Sequence, residues 1–269
     1  MPFALVGFFI GIQHAQQPFD AILLLQVILC MVFARSAAMA FNRYADKDID
    51  RQNPRTAERE IPAGTISPSN ALFFVIVNAM LFMVTTYFIN ELCFYLSPIA
   101  LAVILGYSYT KRFTALCHFV LGVGLSLAPL GAYLAVIGSF DSIVPILFSG
   151  IVLFWVAGFD IIYALQDEDF DRTLGLHSIP SYLGVSRSIL LSIILHLATA
   201  FLIIYAAYSL QANIIHWIGA SAFICLLAYQ HYIVRPHDLS NVNLAFFTTN
   251  GIASILYAST IIADYYFPL

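Results

Sequence analysis

The feature that most constrains this chain is a series of apolar stretches about 20 residues long, separated by short polar breaks. They lie at about 21 to 43, 70 to 90, 92 to 110, 114 to 137, 143 to 165, 186 to 209, 213 to 233 and 243 to 264. A helix of about 20 residues crosses a hydrocarbon core of roughly 30 Å, so each stretch is long enough to span. None shows the ten-residue alternation of an outer-membrane barrel strand. Residues 3 to 12 are also apolar but too few to span alone, and no basic lead of a cleaved signal peptide precedes them. The chain is therefore expected to begin inside its first helix. The fold class that follows is all-α integral membrane: a nine-transmembrane-helix bundle with a truncated first helix, in one domain over 1–269. Composition agrees, since 61% of residues are hydrophobic and 10% charged, against about 25% charged in a soluble domain.

Charge sorts the loops. Basic residues favour the cytoplasmic side of a membrane protein. Taking alternate loops and the adjoining helix ends, one side holds Arg35, Arg43, Lys47, Arg51, Arg55, Arg59, Lys111, Arg112, Arg172, Arg187 and Arg235, which is every Lys and Arg in the chain. The opposite loops, near 13 to 20, 88 to 94, 138 to 142, 210 to 213 and 265 to 269, hold none. The first side is thus expected to be cytoplasmic. Net charge is −4, with no sign of a nucleic-acid partner and no obligate protein partner evident.

Two acidic segments lie on that side. Asn42, Asp46 and Asp50 are four apart, so a helix continuing from the second stretch puts them on one face, with Arg35 on the same stripe two turns deeper. Asp160, Tyr163, Asp167 and Asp171, at steps of three, four and four, form a second one-faced stripe about 120 residues later. Each follows an apolar span, which suggests a four-helix unit repeated over spans 2 to 5 and 6 to 9. Facing carboxylates repel unless cations sit between them. Oxygen donors suit Mg²⁺, which prefers a few carboxylates together with waters and phosphate oxygens, and so point to a diphosphate substrate. Arg51, Arg55, Arg59, Lys111 and Arg172 are placed to hold the remaining phosphate charge. The plainer alternative is a pair of solvated acidic loops. Asp160 and Arg35 are the deepest ionisable residues and are functional candidates by position, with a structural ion pair as their alternative.

These residues also carry a resemblance. Asn42-x-x-x-Asp46-x-x-x-Asp50 followed by Arg55-Thr56-Ala57-x-Arg59-x-Ile61-Pro62-x-Gly64 resembles the first signature of the UbiA superfamily of intramembrane aromatic prenyltransferases. Asp160-x-x-Tyr163-Ala164-x-x-Asp167-x-x-x-Asp171 is similar to the second, and Tyr107-x-x-x-Lys111-Arg112 extends the likeness across nearly the whole chain. The resemblance implies that Asn42, Asp46, Asp50, Asp167 and Asp171 hold Mg²⁺ and a polyprenyl diphosphate, with Arg55, Arg59 and Lys111 on the phosphates; Arg112, next to Lys111, is a further diphosphate-binding candidate. It implies transfer of the polyprenyl group to an aromatic acid from within a bilayer, in a bacterial inner membrane with the active site facing the cytoplasm. The Tyr163-Ala164-x-x-Asp167 form is most similar to the 4-hydroxybenzoate branch that feeds ubiquinone. A close rival prenylates a dihydroxynaphthoate for menaquinone, and Arg55 to Arg59 do not separate the two. Family members usually begin with a complete first helix and a basic lead, which this sequence lacks, so no substrate contact is assigned to that helix.

The remaining candidates are weaker. Tyr107, Tyr109 and Tyr163 can stabilise a carbocation through their π faces, with Arg35 as a further acceptor contact. The seven His share no metal spacing, and only His177, six residues past Asp171, stands near a cluster. Cys30, Cys93, Cys117 and Cys225 are scattered singly in apolar runs, as buried thiols are. A transporter also uses a repeated bundle with intramembrane charge, but its charges belong at the midplane and these lie at one surface.

Overall fold

The computed structural model describes residues 1–267, which form helices and their connections. In chain order the helices are α1 (Pro2–Ala15), α2 (Ala21–Ala45), α3 (Lys47–Asp50), α4 (Pro68–Ile89), α5 (Glu91–Thr110), α6 (Cys117–Ile137) and α7 (Val144–Ala164). Then follow α8 (Glu168–Thr173), α9 (Ile179–Ser209), α10 (Ile214–Ile233) and, after a π-helical turn Leu244–Thr249, α11 (Asn250–Tyr266). Eight of these segments are long and apolar enough to cross a membrane, and α1 is a shorter apolar helix, so the protein is an integral membrane bundle. At 14 residues α1 extends about 21 Å, short of a full crossing. It packs inside the bundle on α6 and α11 and buries Phe3, Val6, Phe8 and Ile10.

Helix α7 is the central staff. Eleven of its 21 residues are buried, and it packs on both α6 and α9. The approach to α6 depends on Gly122, where an added Cβ would lie 2.6 Å from the carbonyl oxygen of Leu153. Trp155 of α7 anchors the core, edge-on to Phe223 with ring centroids 5.4 Å apart, and its indole N–H donates to Asn250 Oδ1 at 3.0 Å. An indole buried this deeply needs such a partner. The second acidic segment therefore leaves the end of a rigid helix. The outward faces expose large apolar side chains such as Phe73, Phe88, Leu197 and Phe201, as lipid-facing helix surfaces do.

Three expectations need adjustment. Helix α2 ends at Ala45, with Asp46 capping it, and the chain resumes as the single turn α3. The amide of Asp46 still donates to the Asn42 carbonyl at 3.0 Å and that of Asp50 to the Asp46 carbonyl at 2.7 Å, so the four-residue stepping survives the break. The second stripe is broken likewise, by a 3₁₀ turn Leu165–Asp167 between α7 and α8. Helix α9 starts at Ile179, seven residues before the apolar run suggested, because a Ser178–Ser181 capping box and Pro180 define its start. Gly184, at φ 74°, then breaks the helix before its long apolar part begins. α2 packs on α4 and α7 on α9, the corresponding pairs under the proposed repeat.

Candidate active site

The ends of α2, α5, α6 and α7 surround one cavity of about 920 Å³, counting the space at its mouth. From the first acidic segment it receives Asn42, Asp46 and Asp50, and from the second Asp160, Tyr163, Asp167 and Asp171. Asp46, Asp50 and Asp171 are buried, at 3%, 4% and 8% exposure, which a carboxylate tolerates only with compensating partners.

For Asp46 and Asp50, and for the less buried Asp167, the partners are basic residues of the same cavity. Arg59 Nη1 lies 2.8 and 3.0 Å from the two oxygens of Asp50. Lys111 Nζ lies 3.3 Å from Asp46 Oδ2, to which Asn42 Nδ2 donates at 3.2 Å. Arg55 grips Asp167 with a fork: Nε donates to Oδ1 at 2.9 Å and Nη2 donates to Oδ2. The third nitrogen of Arg55, Nη1, donates to Tyr163 Oη at 2.9 Å. Burial pulls the Arg55 pKa down, but the hydrogen bonds and charge of Asp167 more than offset this and leave it raised. The loop after α3 thus reaches over the second cluster and joins the two halves. Tyr163 is held from its other side by Phe246 of the π turn, stacked at a centroid distance of 4.1 Å.

Several cavity residues carry no motif signal of their own. Asn53 Nδ2 donates to Asp167 Oδ1 at 2.9 Å while its Oδ1 accepts from the Arg55 amide at 3.0 Å, so it sets the loop that presents Arg55. The Asn53-Pro54 pair is a turn signal that could have located this bend. His118, buried at the start of α6, lies 2.7 Å from Asp160 Oδ2 through Nδ1. Nothing in an apolar run distinguishes such a histidine in advance. Ser178, the cap of α9, also lines the cavity.

Other candidates are not gathered there. Arg35 is exposed and does not line the cavity, so Asp160 pairs with His118 and not with it. Arg51 is exposed on the turn after α3. Arg172 pairs with Glu168 at 2.7 Å along α8, with its side chain 57% exposed. Arg112 stands behind the wall, over the Tyr109 ring at 4.9 Å and 3.5 Å from Asp46 Oδ1. His177 faces Tyr182, with Nδ1 3.0 Å from its hydroxyl. Tyr107 and Lys111 of α5 do line the cavity.

The donor set suits a hard divalent cation. Five carboxylates, Asp46, Asp50, Asp160, Asp167 and Asp171, face three basic side chains, Arg55, Arg59 and Lys111, an excess of two negative charges. Asp46 Oδ1 is buried with no hydrogen-bond partner, Arg112 being outside hydrogen-bond geometry. Among the described residues no three His, Cys, Asp or Glu close around one point as a ready-made metal cage. A cation such as Mg²⁺ fits that pattern, because it fills most of its shell with water and phosphate oxygens.

The sequence matches the UbiA prenyltransferase family over residues 1–252. A protein of Tolumonas auensis named 4-hydroxybenzoate octaprenyltransferase is 29% identical over 241 residues, covering 89% of this chain and 84% of its own. A UbiA homolog from Aeropyrum pernix K1, solved in its apo form, is 31% identical, with a TM-score of 0.89 over 98% of this chain and 95% of its own. A UbiA homolog from Archaeoglobus fulgidus, solved bound to DMAPP and Mg²⁺, shares the fold at 23% identity and a TM-score of 0.73, over 99% of this chain and 94% of its own.

Proposed function

The chain belongs to the UbiA prenyltransferase family, and from that premise we propose that this membrane prenyltransferase moves the polyprenyl group of a polyprenyl diphosphate onto the ring of 4-hydroxybenzoate, beside its hydroxyl, with Mg²⁺. One observation carries the reading: both acidic stripes and three cations line a single cavity at one end of an apolar bundle. The names of the bacterial relatives support the acceptor, and the Archaeoglobus structure, with its bound DMAPP and Mg²⁺, supports the donor and the metal.

The roles follow from position. Asn42, Asp46, Asp50, Asp167 and Asp171 would hold the cation together with the diphosphate oxygens. Mg²⁺, when bound, neutralises charge on the leaving diphosphate. Arg55, Arg59 and Lys111 each already face the cavity while paired with a carboxylate, so a diphosphate exchanges one anionic partner for another. Tyr107 and Tyr163 line the cavity where an allylic cation would form, and their rings would stabilise it. The loop over the mouth and the apolar walls exclude water from that cation, and the polyprenyl tail lies among apolar helices, where each buried CH₂ contributes about 0.8 kcal/mol. The charge asymmetry of the loops supports a cavity on the cytoplasmic side, and the bacterial relatives support a bacterial inner membrane.

The test supplies purified protein with Mg²⁺, a polyprenyl diphosphate and a panel of 4-hydroxybenzoate and dihydroxynaphthoate acceptors, with products identified by mass. Prenylated 4-hydroxybenzoate is the expected product. Prenylation of the naphthoate alone would move the protein to the menaquinone branch.

A further inference from the structure

Asp160 differs from the other cavity carboxylates in depth and in partner. It lies seven residues before Asp167, about 10 Å further into the bundle along α7. Its partner is His118, a side chain only 3% exposed that ties together three helices. The backbone N–H of Ile179, the first residue of α9, donates to His118 Nε2 at 3.2 Å. A backbone amide can only donate, so Nε2 is the acceptor nitrogen and Nδ1 carries the proton given to Asp160 Oδ2 at 2.7 Å. The histidine is thereby locked in tautomer and orientation, and it fixes the carboxylate in turn. Among the described residues Asp160 Oδ1 has no hydrogen-bond or ion-pair partner, and the side chain keeps 21% exposure in the cavity wall beside Tyr107 and Leu121.

We propose that Asp160, held by His118, is the base that takes the ring proton from the aromatic acceptor. The inference rests on the prenyltransferase reading above. When the allylic C–O bond breaks, its electron pair leaves with the diphosphate. A ring π pair then forms the new C–C bond, and the arenium ion must lose the proton on that carbon to become aromatic again. Asp160 Oδ1 accepts that proton as the C–H pair returns to the ring, and the carboxylic acid formed releases it through the cavity mouth. The position suits the step: Oδ1 stands below the level of the diphosphate carboxylates, where a ring inserted under the diphosphate would meet it. His118 is a positioning residue, since its free lone pair is already occupied by the Ile179 amide.

The test uses 4-hydroxybenzoate deuterated at both carbons flanking the hydroxyl, competed against unlabelled acceptor, and a diphosphate carrying ¹⁸O in the bridging position. Asp160→Asn should lose about 10²-fold or more in turnover, in the range of general base catalysis. It should also show a larger primary isotope effect than the wild type, while diphosphate affinity and scrambling of the ¹⁸O label, which reports ionisation, persist. His118→Phe should show a smaller version of the same pattern, and His118→Asn, whose amide can donate in place of Nδ1–H, should recover part of the loss. Retained scrambling and diphosphate affinity also establish that the variants are folded. An Asp160→Asn enzyme with wild-type turnover, or one whose isotope effect stays unchanged, overturns this inference alone. A wild type that prenylates no acceptor overturns the prenyltransferase reading and this inference with it.

Discussion

Three of the cavity's carboxylates, Asp46, Asp50 and Asp167, are each held by a cation that is also a phosphate ligand in waiting. Removing one carboxylate leaves a cation with nothing to exchange, so Asp46→Ala or Asp167→Ala should lower kcat/KM by about 10²-fold or more with Mg²⁺ present. Near-normal steady-state turnover in either would sink the metal and diphosphate assignment. Arg55→Lys keeps the charge but loses the fork on Asp167, so KM for the polyprenyl diphosphate should rise more than kcat falls. EDTA should abolish product formation and added Mg²⁺ restore it, and activity unaffected by the chelator would remove the cation from the site. The motif residues of this constellation were legible because charge is rare in an apolar chain and its spacing stands out. Asn53 and His118 were not, because each matters only for the group that the fold brings against it.

Between helices, the close contacts are made by residues too small to signal anything alone. Gly122→Ala would place a Cβ 2.6 Å from the Leu153 carbonyl oxygen and force α6 away from α7. Overpacking of this kind costs about 1–3 kcal/mol, which a lower unfolding temperature in detergent would register. Gly131→Ala on the same helix, with nothing within 4 Å of its added Cβ, should be neutral or mildly stabilising by contrast. Equal destabilisation by both would show that helix propensity, and not the α6–α7 approach, governs the pair. The apolar runs located the long helices to within a few residues, since length and hydropathy are local properties. They could not reveal that α2 and α7 each stop partway along their acidic stripes and continue through a separate turn. Arg35 makes the same point: helical stepping aligns it with Asn42, but the packing around α2 leaves it exposed.

At the scale of the whole protein, the cytoplasmic sidedness proposed from loop charge can be tested directly. In a background without the four native cysteines, Glu58→Cys, in the loop over the cavity, should react with an impermeant maleimide only in opened bacterial cells. Ser139→Cys, in an exposed loop at the other end of α6, should react in intact ones. The reverse pattern would put the active site outside. The sequence by itself determined that the chain is a helical membrane bundle, which face of each helix end carries oxygen donors, and how charge divides between its two sides. These depend on composition and period, which are written along one dimension. Only the tertiary structure decided that Arg55 crosses to Asp167, that Arg35 and Arg172 stay outside, and that His118 orients Asp160. Those outcomes depend on which helices meet and how closely, and packing between segments 40 to 110 residues apart leaves no local trace in the chain.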